Sequence, residues 1–375
     1  MKIGLILFHS LIQSGGVKKH VLGLRDEFVR RGISVKIIAP RRQRTENYGK
    51  DVILLGTSFP VNFSGSQGDF CVNFNPLAIK RVLEEEKFDI LHFHNFGFPS
   101  VLQVLDQSKA LNILTFHANP SGSRLLKILL GSARLLNKAV QWKMDGVIGV
   151  APLNIRFLKK YSGPKIVIPN GIDLSEFNPG VPKIKKFLDG RINILFVGRI
   201  EKRKGLIYLL KAYQILTQKF SNLRLIIVGK GKLEEDCEEW AKKYRLKEVC
   251  FEGQVADGKI PSYFATADIF VSPAIFGESF GLVLLEAMAC GAPMVVFANQ
   301  GYRELLKGKR GEEFLVPPKN YKALAEKIEL LIRDEPLRRE ISRKALQEVR
   351  EYSWTKVADQ ILDFYQFCKN KKAKR

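Results

Sequence analysis

Short β-rich apolar runs alternate with amphipathic helical stretches along most of this sequence, and the alternation restarts once near its middle. In the first series the strand candidates are Lys2–Phe8, Ser34–Ala39, Ile90–His94, Asn112–His117, Gly146–Val150 and Lys165–Pro169. Between the first two, Val17, Val21, Leu24 and Phe28 recur at helical spacing across Val17–Arg31. Strand, helix and strand in that order imply a parallel sheet with helices on both faces. Pro169-Asn170-Gly171-Ile172-Asp173, then Phe177-Asn178-Pro179-Gly180 and Val181-Pro182, is dense in turn formers and reads as a linker. Beyond it the second series runs through Ile192–Val197, Arg224–Gly229, Glu248–Glu252, Ile269–Ser272, Pro293–Phe297 and Phe314–Val316. The chain therefore reads as an α/β protein. Two Rossmann-like, doubly wound parallel-sheet domains, residues 1–170 and 171–353, face a central cleft. In such sheets ligands gather at the carboxyl ends of the strands, so the cleft is the expected site. The basic end of the chain, Lys369–Arg375, reads as an unstructured tail.

The 375 residues carry 61 Lys and Arg against 38 Asp and Glu, a formal net charge of +23 shared by both halves. That excess implies an anionic partner: nucleic acid, anionic lipid headgroups or a phosphorylated substrate. The aromatic-rich basic motifs of nucleic-acid modules are absent, which argues against the first. Cys71, Cys237, Cys250, Cys290 and Cys368 lie far apart with no CxxC pair, which excludes a disulfide framework or thiolate zinc site and fits a reducing cytosol. No apolar run approaches the ~18 residues of a membrane span. Met1–Phe8 reads as a buried strand rather than a secretory leader. Any membrane would be met from the side.

Gly15-Gly16 follows the first strand and opens the first helix. Glycines there let backbone N–H groups approach an anion, although many such turns carry glycine for steric reasons alone. Gly198-Arg199 and Lys202-Arg203-Lys204-Gly205 follow strand Ile192–Val197. A solvated turn is the plain reading, but the position at a strand's carboxyl end favours phosphate binding. No Walker sequence is present. Gly229-Lys230-Gly231-Lys232-Leu233-Glu234 approaches a dinucleotide fingerprint, with Glu234 in place of the third glycine, and reads as a nucleotide-adjacent turn rather than a nicotinamide site. Glu278 and Glu286 flank Gly281, where a loop becomes an apolar helix. A carboxylate in such a helix needs a partner: sugar or ribose hydroxyls serve, and a capping Glu plus a salt-bridged Glu fit the spacing equally well.

All five histidines, His9, His20, His92, His94 and His117, fall in the first third. His92 and His94 share a strand face, but no cluster at metal-ligand spacing follows, so structural or substrate-contacting roles are preferred to zinc. His117 ends a strand and is the one histidine placed to face the cleft. Over Arg124–Met144, at about 100° per residue, Arg124, Lys127, Arg134 and Lys138 fall on one stripe edged by Ile128, Leu135 and Trp142. That stripe suits a helix lying on anionic lipid, and a solvated helix surface suits it equally.

Taken together, several features resemble the retaining glycosyltransferase family 4, with the GT-B fold. These are Gly15-Gly16 with His20, Thr115-Phe116-His117, Pro169-Asn170-Gly171-Ile172-Asp173, Val197-Gly198-Arg199 with Lys204-Gly205, and the Glu278-to-Glu286 spacing. The resemblance covers nearly the whole chain, including Ser353-Trp354 before the last helix. The N-terminal half is most similar to phosphatidylinositol mannosyltransferases. It shares Gly15-Gly16-Val17, His20-Val21-Leu22, the loop Phe59-Pro60-Val61-Asn62, Phe98-Pro99-Ser100, and Thr115–Ala118 followed by a basic amphipathic helix.

The resemblance implies that Gly16, Arg199 and Lys204 hold the donor's diphosphate. Glu278, with backbone N–H groups of Phe280, Gly281 and Leu282, would bind hydroxyls of the transferred sugar, and Glu286 the ribose hydroxyls. His117 would contact the donor sugar, and Val255 and Asp257 the base, the Asp favouring guanine. His9 stands where lipid-using relatives often carry an aromatic acceptor contact, and Asn62 falls on the acceptor side. The last helix, 354–371, would cross back to the first domain, leaving 372–375 as the basic tail. The implied activity is transfer of mannose from GDP-mannose to a phosphoinositol-type lipid headgroup, with no cofactor and no required metal, on the cytosolic face of a membrane. A soluble sugar or polysaccharide acceptor, a sugar-nucleotide 2-epimerase and a nucleic-acid-binding protein are the alternatives.

Overall fold

The computed structural model describes residues 1–12, 15–63, 66–72, 75–96, 100–117, 138, 140–156, 158 and 160–374. The chain divides into two compact units, Met1–Gly171 with Trp354–Arg375, and Ile172–Ser353.

In the first unit eight strands form one sheet: β1 (Lys2–Leu7), β2 (Ser34–Arg41), β3 (Val52–Phe63), β4 (Ser66–Val72), β5 (Ile90–His94), β6 (Leu111–Phe116), β7 (Gly146–Gly149) and β8 (Lys165–Val167). Their order is β4-β3-β2-β1-β5-β6-β7-β8. β1 lies parallel to β2 on one side, Leu5 opposite Ile37, and to β5 on the other, Leu5 opposite His92. Side-chain alternation sends Ile3, Leu5 and Leu7 into a core shared with Val21, Leu24 and Phe28 of the helix Gly16–Arg30. Ile6 and Phe8 enter a second core with Leu91, Phe93 and Val104. Because both faces are covered, a strand apolar on both faces is stable at the centre of the sheet, each buried side chain contributing roughly 1.5–3 kcal/mol.

The C-terminal helix, Trp354–Ala373, completes the first of those cores with Val357, Ile361, Phe364 and Tyr365. It runs past the expected bound. Lys372 donates to Asp145 at 2.8 Å and to the Ala110 carbonyl at 2.9 Å, so the expected unstructured tail is helical through Ala373. Cations suit a helix C-terminus, and here one of them is anchored as well. A second correction concerns β3 and β4. They pair antiparallel, from Thr57 opposite Val72 to Phe63 opposite Ser66, on an edge of a sheet expected to be wholly parallel. Phe59-Pro60-Val61-Asn62, read as a loop, lies inside β3. Pro60 is tolerated because β3 pairs with β2 only as far as Thr57, and beyond that point one side of the strand needs no ladder donor.

The second unit holds β9 (Ile192–Val197), β10 (Leu223–Val228), β11 (Val249–Gly253), β12 (Ile269–Ser272), β13 (Met294–Phe297) and β14 (Leu315–Val316), in the order β11-β10-β9-β12-β13-β14. All neighbours are parallel. Ile194, Phe196, Leu225, Val271 and Phe297 pack on Leu209, Leu210 and Tyr213 of the helix Leu206–Thr217. The strand order reverses between β9 and β12 here, and between β1 and β5 in the first unit. Loops leaving the carboxyl ends of such a pair diverge to opposite faces and open a crevice, where ligands of doubly wound sheets bind.

Candidate active site

In the second unit the loop after β9 meets the loop after β12 at that crevice. Gly205 sits between them with φ 71°, and a Cβ there would lie 2.2 Å from the Pro273 carbonyl oxygen. Only glycine allows this approach, which the bond from the Ile275 N–H to the Arg203 carbonyl (2.8 Å) fixes. The approach carries the side chains of Arg203 and Lys204, from the 3₁₀ turn Lys202–Lys204, toward Glu278. Arg203 Nη1 and Lys204 Nζ both reach Glu278 Oε1, at 2.9 and 2.8 Å. Arg203 Nε also holds Glu201 at 3.1 Å, and Arg199 Nη1 holds the other oxygen of Glu201 at 3.1 Å.

The result is one network of three cations and two carboxylates, charge-rich on the positive side. Burial would raise the Glu278 carboxyl, but Lys204 and Arg203 outweigh it and hold the group below the ordinary glutamate value. Burial pulls the Arg199 guanidinium down, against the pull of Glu201. Lys204 and Glu278 are 14% and 12% exposed, whereas Arg199 is 43% exposed and so open to a ligand.

Gly281, with φ 108°, caps the helix Leu282–Ala289 without any side-chain cap, and the first turn holds no acid. The leading N–H groups of Phe280-Gly281-Leu282 and the helix dipole thus offer positive potential beside Glu278. Glu286 is buried within the same helix. Val255 and Asp257 follow the carboxyl end of β11, Val255 half-buried and Asp257 exposed at the start of a 3₁₀ turn. The glycine-rich turn after β10 has a packing role: a Cβ on Gly229 would lie 2.1 Å from the Gly198 carbonyl oxygen.

In the first unit the helix Gly16–Arg30 begins at the exposed Gly15-Gly16, likewise with no side-chain cap and no acid in its first turn. His117, expected as the one histidine at an open face, is buried among others. Its ring lies 4.7 Å from that of His20 and 5.5 Å from that of His94, and its Nε2 is 3.2 Å from His94 Nδ1. The reason is topological: β5 lies between β1, across the strand-order reversal, and β6, and the helix bearing His20 follows β1. Asn95, at φ 67°, accepts the His117 N–H at 2.8 Å and fixes the turn. His92 is tied instead to Thr115 Oγ1 and to the Tyr365 hydroxyl, each at 2.6 Å.

Burial drives His20 down to about 4 and His92, His94 and His117 well below the usual imidazole value, so all four are neutral at pH 7. His9 is also brought down to about 4, by burial and by Arg42.

Of the acceptor-side expectations, Asn62 has its backbone in β3, and its side chain lies outside the described residues. Arg124, Lys127 and Arg134 also lie outside them. Lys138 is exposed, and Trp142 is 52% exposed. Arg203 is one of a run of cations, and nothing local in the sequence distinguishes it from Lys202. In the sequence His94 pairs with His92 on one strand face and not with His20 and His117, because the spacing that links those three is not local. Their signal is subtler: single histidines at or after the carboxyl ends of strands that are adjacent in the sheet, β1, β5 and β6.

Two family models match the chain: Glycosyltransferase Family 4 over residues 14–176, and Glycosyl transferases group 1 over residues 181–348. The phosphatidyl-myo-inositol mannosyltransferase of Mycobacterium leprae is 32% identical over 378 residues, covering 98% of this chain and 96% of its own. That of Mycolicibacterium smegmatis is 31% identical, covering 98% and 94%. Among solved structures, sucrose-phosphate synthase from Thermosynechococcus elongatus superposes with a TM-score of 0.78 at 21% identity, covering 97% of this chain and 98% of its own. Anabaena HepE in complex with UDP and glucose does so with 0.75 at 20% identity, covering 98% and 99%. At such identities the structural likeness is one of fold.

Proposed function

The chain belongs to glycosyltransferase family 4, with the GT-B fold, and we propose that it is a retaining mannosyltransferase using GDP-mannose and a phosphoinositol lipid headgroup. The observation that carries this reading is the convergence of Arg203 and Lys204 on Glu278 at the strand-order reversal of the second unit, beside an uncapped helix N-terminus. In the reaction the bond from the sugar's anomeric carbon to phosphate breaks, and charge collects on the diphosphate. Arg199, Lys204 and the N–H groups of Phe280-Gly281-Leu282 stabilise that charge, with Gly16 at the open helix start of the first unit adding to it. On donor binding, Lys204 exchanges Glu278 for phosphate. Glu278, still held by Arg203, then accepts the sugar hydroxyls, and Glu286 accepts those of the ribose. His117 contacts the donor sugar, and Val255 and Asp257 contact the base.

Attack comes from the face of the leaving group. The acceptor oxygen bonds to the anomeric carbon as the phosphate departs with the hydroxyl proton, so configuration is retained. The protein contributes positioning and fixed charge, and turnover requires no divalent metal. The first unit binds the acceptor, through His9 and Asn62. No helix of the described residues is long and apolar enough to cross a membrane. The lipid is met from the side, at the cytosolic face, by the stripe of Arg124, Lys127, Arg134 and Lys138 with Trp142 at its edge.

The test is a transfer screen across GDP-, UDP- and ADP-sugars, with and without extracted lipids, on the intact protein and on Arg199→Ala and Glu278→Ala. GDP-mannose with lipid is the expected active pair, and each variant is expected to lose turnover while keeping its circular dichroism. Near-normal transfer by both variants would refute the site. Conversion of a donor sugar without any acceptor would favour the epimerase instead, and a soluble acceptor would refute the lipid assignment.

A further inference from the structure

Three connections of the first unit bring His20, His94 and His117 together: His20 early in the helix after β1, His94 the last residue of β5, and His117 just past β6. All three are buried, and one ring nitrogen of each lies within 4.8 Å of the others. The 3.2 Å between His94 Nδ1 and His117 Nε2 nearly equals the edge, about 3.3 Å, of a tetrahedron of nitrogens around zinc. A plain hydrogen bond accounts for that pair, but it does not account for His20. Neither of its buried ring nitrogens makes a well-formed hydrogen bond, the Asn170 amide beside the ring leaving its own oxygen unpaired as well, and the ring lies 4.7 Å from His117 and 5.2 Å from His94. Buried imidazole nitrogens gathered this closely with one ring poorly satisfied leave a gap in polar satisfaction that a cation fills.

We propose that His20, His94 and His117 form a binding site for a divalent transition metal of the zinc class, with water in the fourth position. Three imidazoles without a carboxylate select against magnesium and calcium, which take oxygen ligands. An ion there draws the His20 nitrogen inward by at most about 1.5 Å, within reach of a side-chain rotation. The site is inhibitory, a consequence that rests on the reading of His117 as the donor-sugar contact: metal-bound His117 is withdrawn from the sugar.

The experiment uses the full-length chain without a histidine tag, stripped with EDTA and freed of chelator. Zinc is titrated in competition with a chromophoric chelator, and cobalt(II) is added separately to read the visible bands of a four-coordinate ion. One equivalent of zinc and four-coordinate cobalt bands are expected. His20→Gln and His94→Asn, each checked by circular dichroism, should weaken binding about tenfold or more. Cys250→Ser, which removes the half-buried thiol, should bind as the parent does. Zinc should slow mannose transfer, and EDTA should restore it. Absence of stoichiometric binding, equal binding by both histidine variants, or tight binding that leaves transfer unchanged overturns the proposal. A protein that binds zinc at the triad yet turns over no donor supports the metal site and overturns the assigned activity instead.

Discussion

Replacing Lys204 by Met keeps most of the length of the side chain and removes its charge, and it separates the two roles the ammonium group plays. In the structure Lys204 Nζ stands 2.8 Å from Glu278 Oε1. At an effective dielectric of about 20 the gross attraction is about 6 kcal/mol, and desolvation of two largely buried groups offsets most of it. Arg203 remains on the same oxygen, so the carboxylate is not stranded. A coupling between Lys204 and Glu278 of about 1–3 kcal/mol is therefore expected. It is read from urea unfolding of Lys204→Met, Glu278→Gln and the double variant. With the donor's diphosphate bound, Lys204 has a different partner. One charge-assisted contact, worth about 1.5–3 kcal/mol, is lost in the variant. GDP affinity by calorimetry should then fall roughly 10–150-fold, and at saturating GDP the coupling to Glu278 should shrink. Additive stabilities within about 0.5 kcal/mol, or GDP affinity unchanged in Lys204→Met, would refute the exchange of partners.

Other perturbations test neighbouring parts of the argument. Gly205→Ala places a Cβ 2.2 Å from the Pro273 carbonyl oxygen at φ 71°, so a loss of at least about 1–3 kcal/mol in chemical denaturation is expected, together with loss of transfer, because the loops bearing Lys204 and Glu278 must part. Tyr365→Phe removes the hydroxyl on His92 Nδ1 and leaves that buried nitrogen unpaired; thermal melts should show a loss of about 1–3 kcal/mol, and an unchanged melt would mean that water replaces the hydroxyl. Neutralising Arg124, Lys127, Arg134 and Lys138 together should weaken sedimentation with anionic vesicles by about 1 kcal/mol per cation, more so at low salt, while leaving neutral vesicles unaffected.

Much of the architecture is legible before any coordinate. Strands β1, β9 and β12 are central and mostly apolar on both faces, so each appears as a short apolar run, β5 differs only in the His92 and His94 of one face, and the glycines and cations that follow β1 and β9 mark the ends where ligands gather. The elements missed carry weaker local signals. β3 and β4 form a partly one-sided edge with a proline and several glycines and polar residues, which reads as loop until the antiparallel pairing is seen. The helical continuation from Lys369 to Ala373 is almost wholly polar, and it is anchored by Lys372 on Asp145 and on the Ala110 carbonyl, 227 and 262 residues away in sequence.

The sequence by itself determined the periodicities, the order of the βα units and the residue types waiting at the strand ends, because these follow from backbone geometry over a few neighbouring residues. Tertiary structure alone decided which of those residues meet. Glu278 takes Arg203 and Lys204, some 75 positions away, because parallel register and one glycine bring two loops into contact. His20, His94 and His117 come together, buried, because the strand order reverses between β1 and β5. Pairings of that range depend on sheet order, burial and rotamer, none of which leaves a period in the chain.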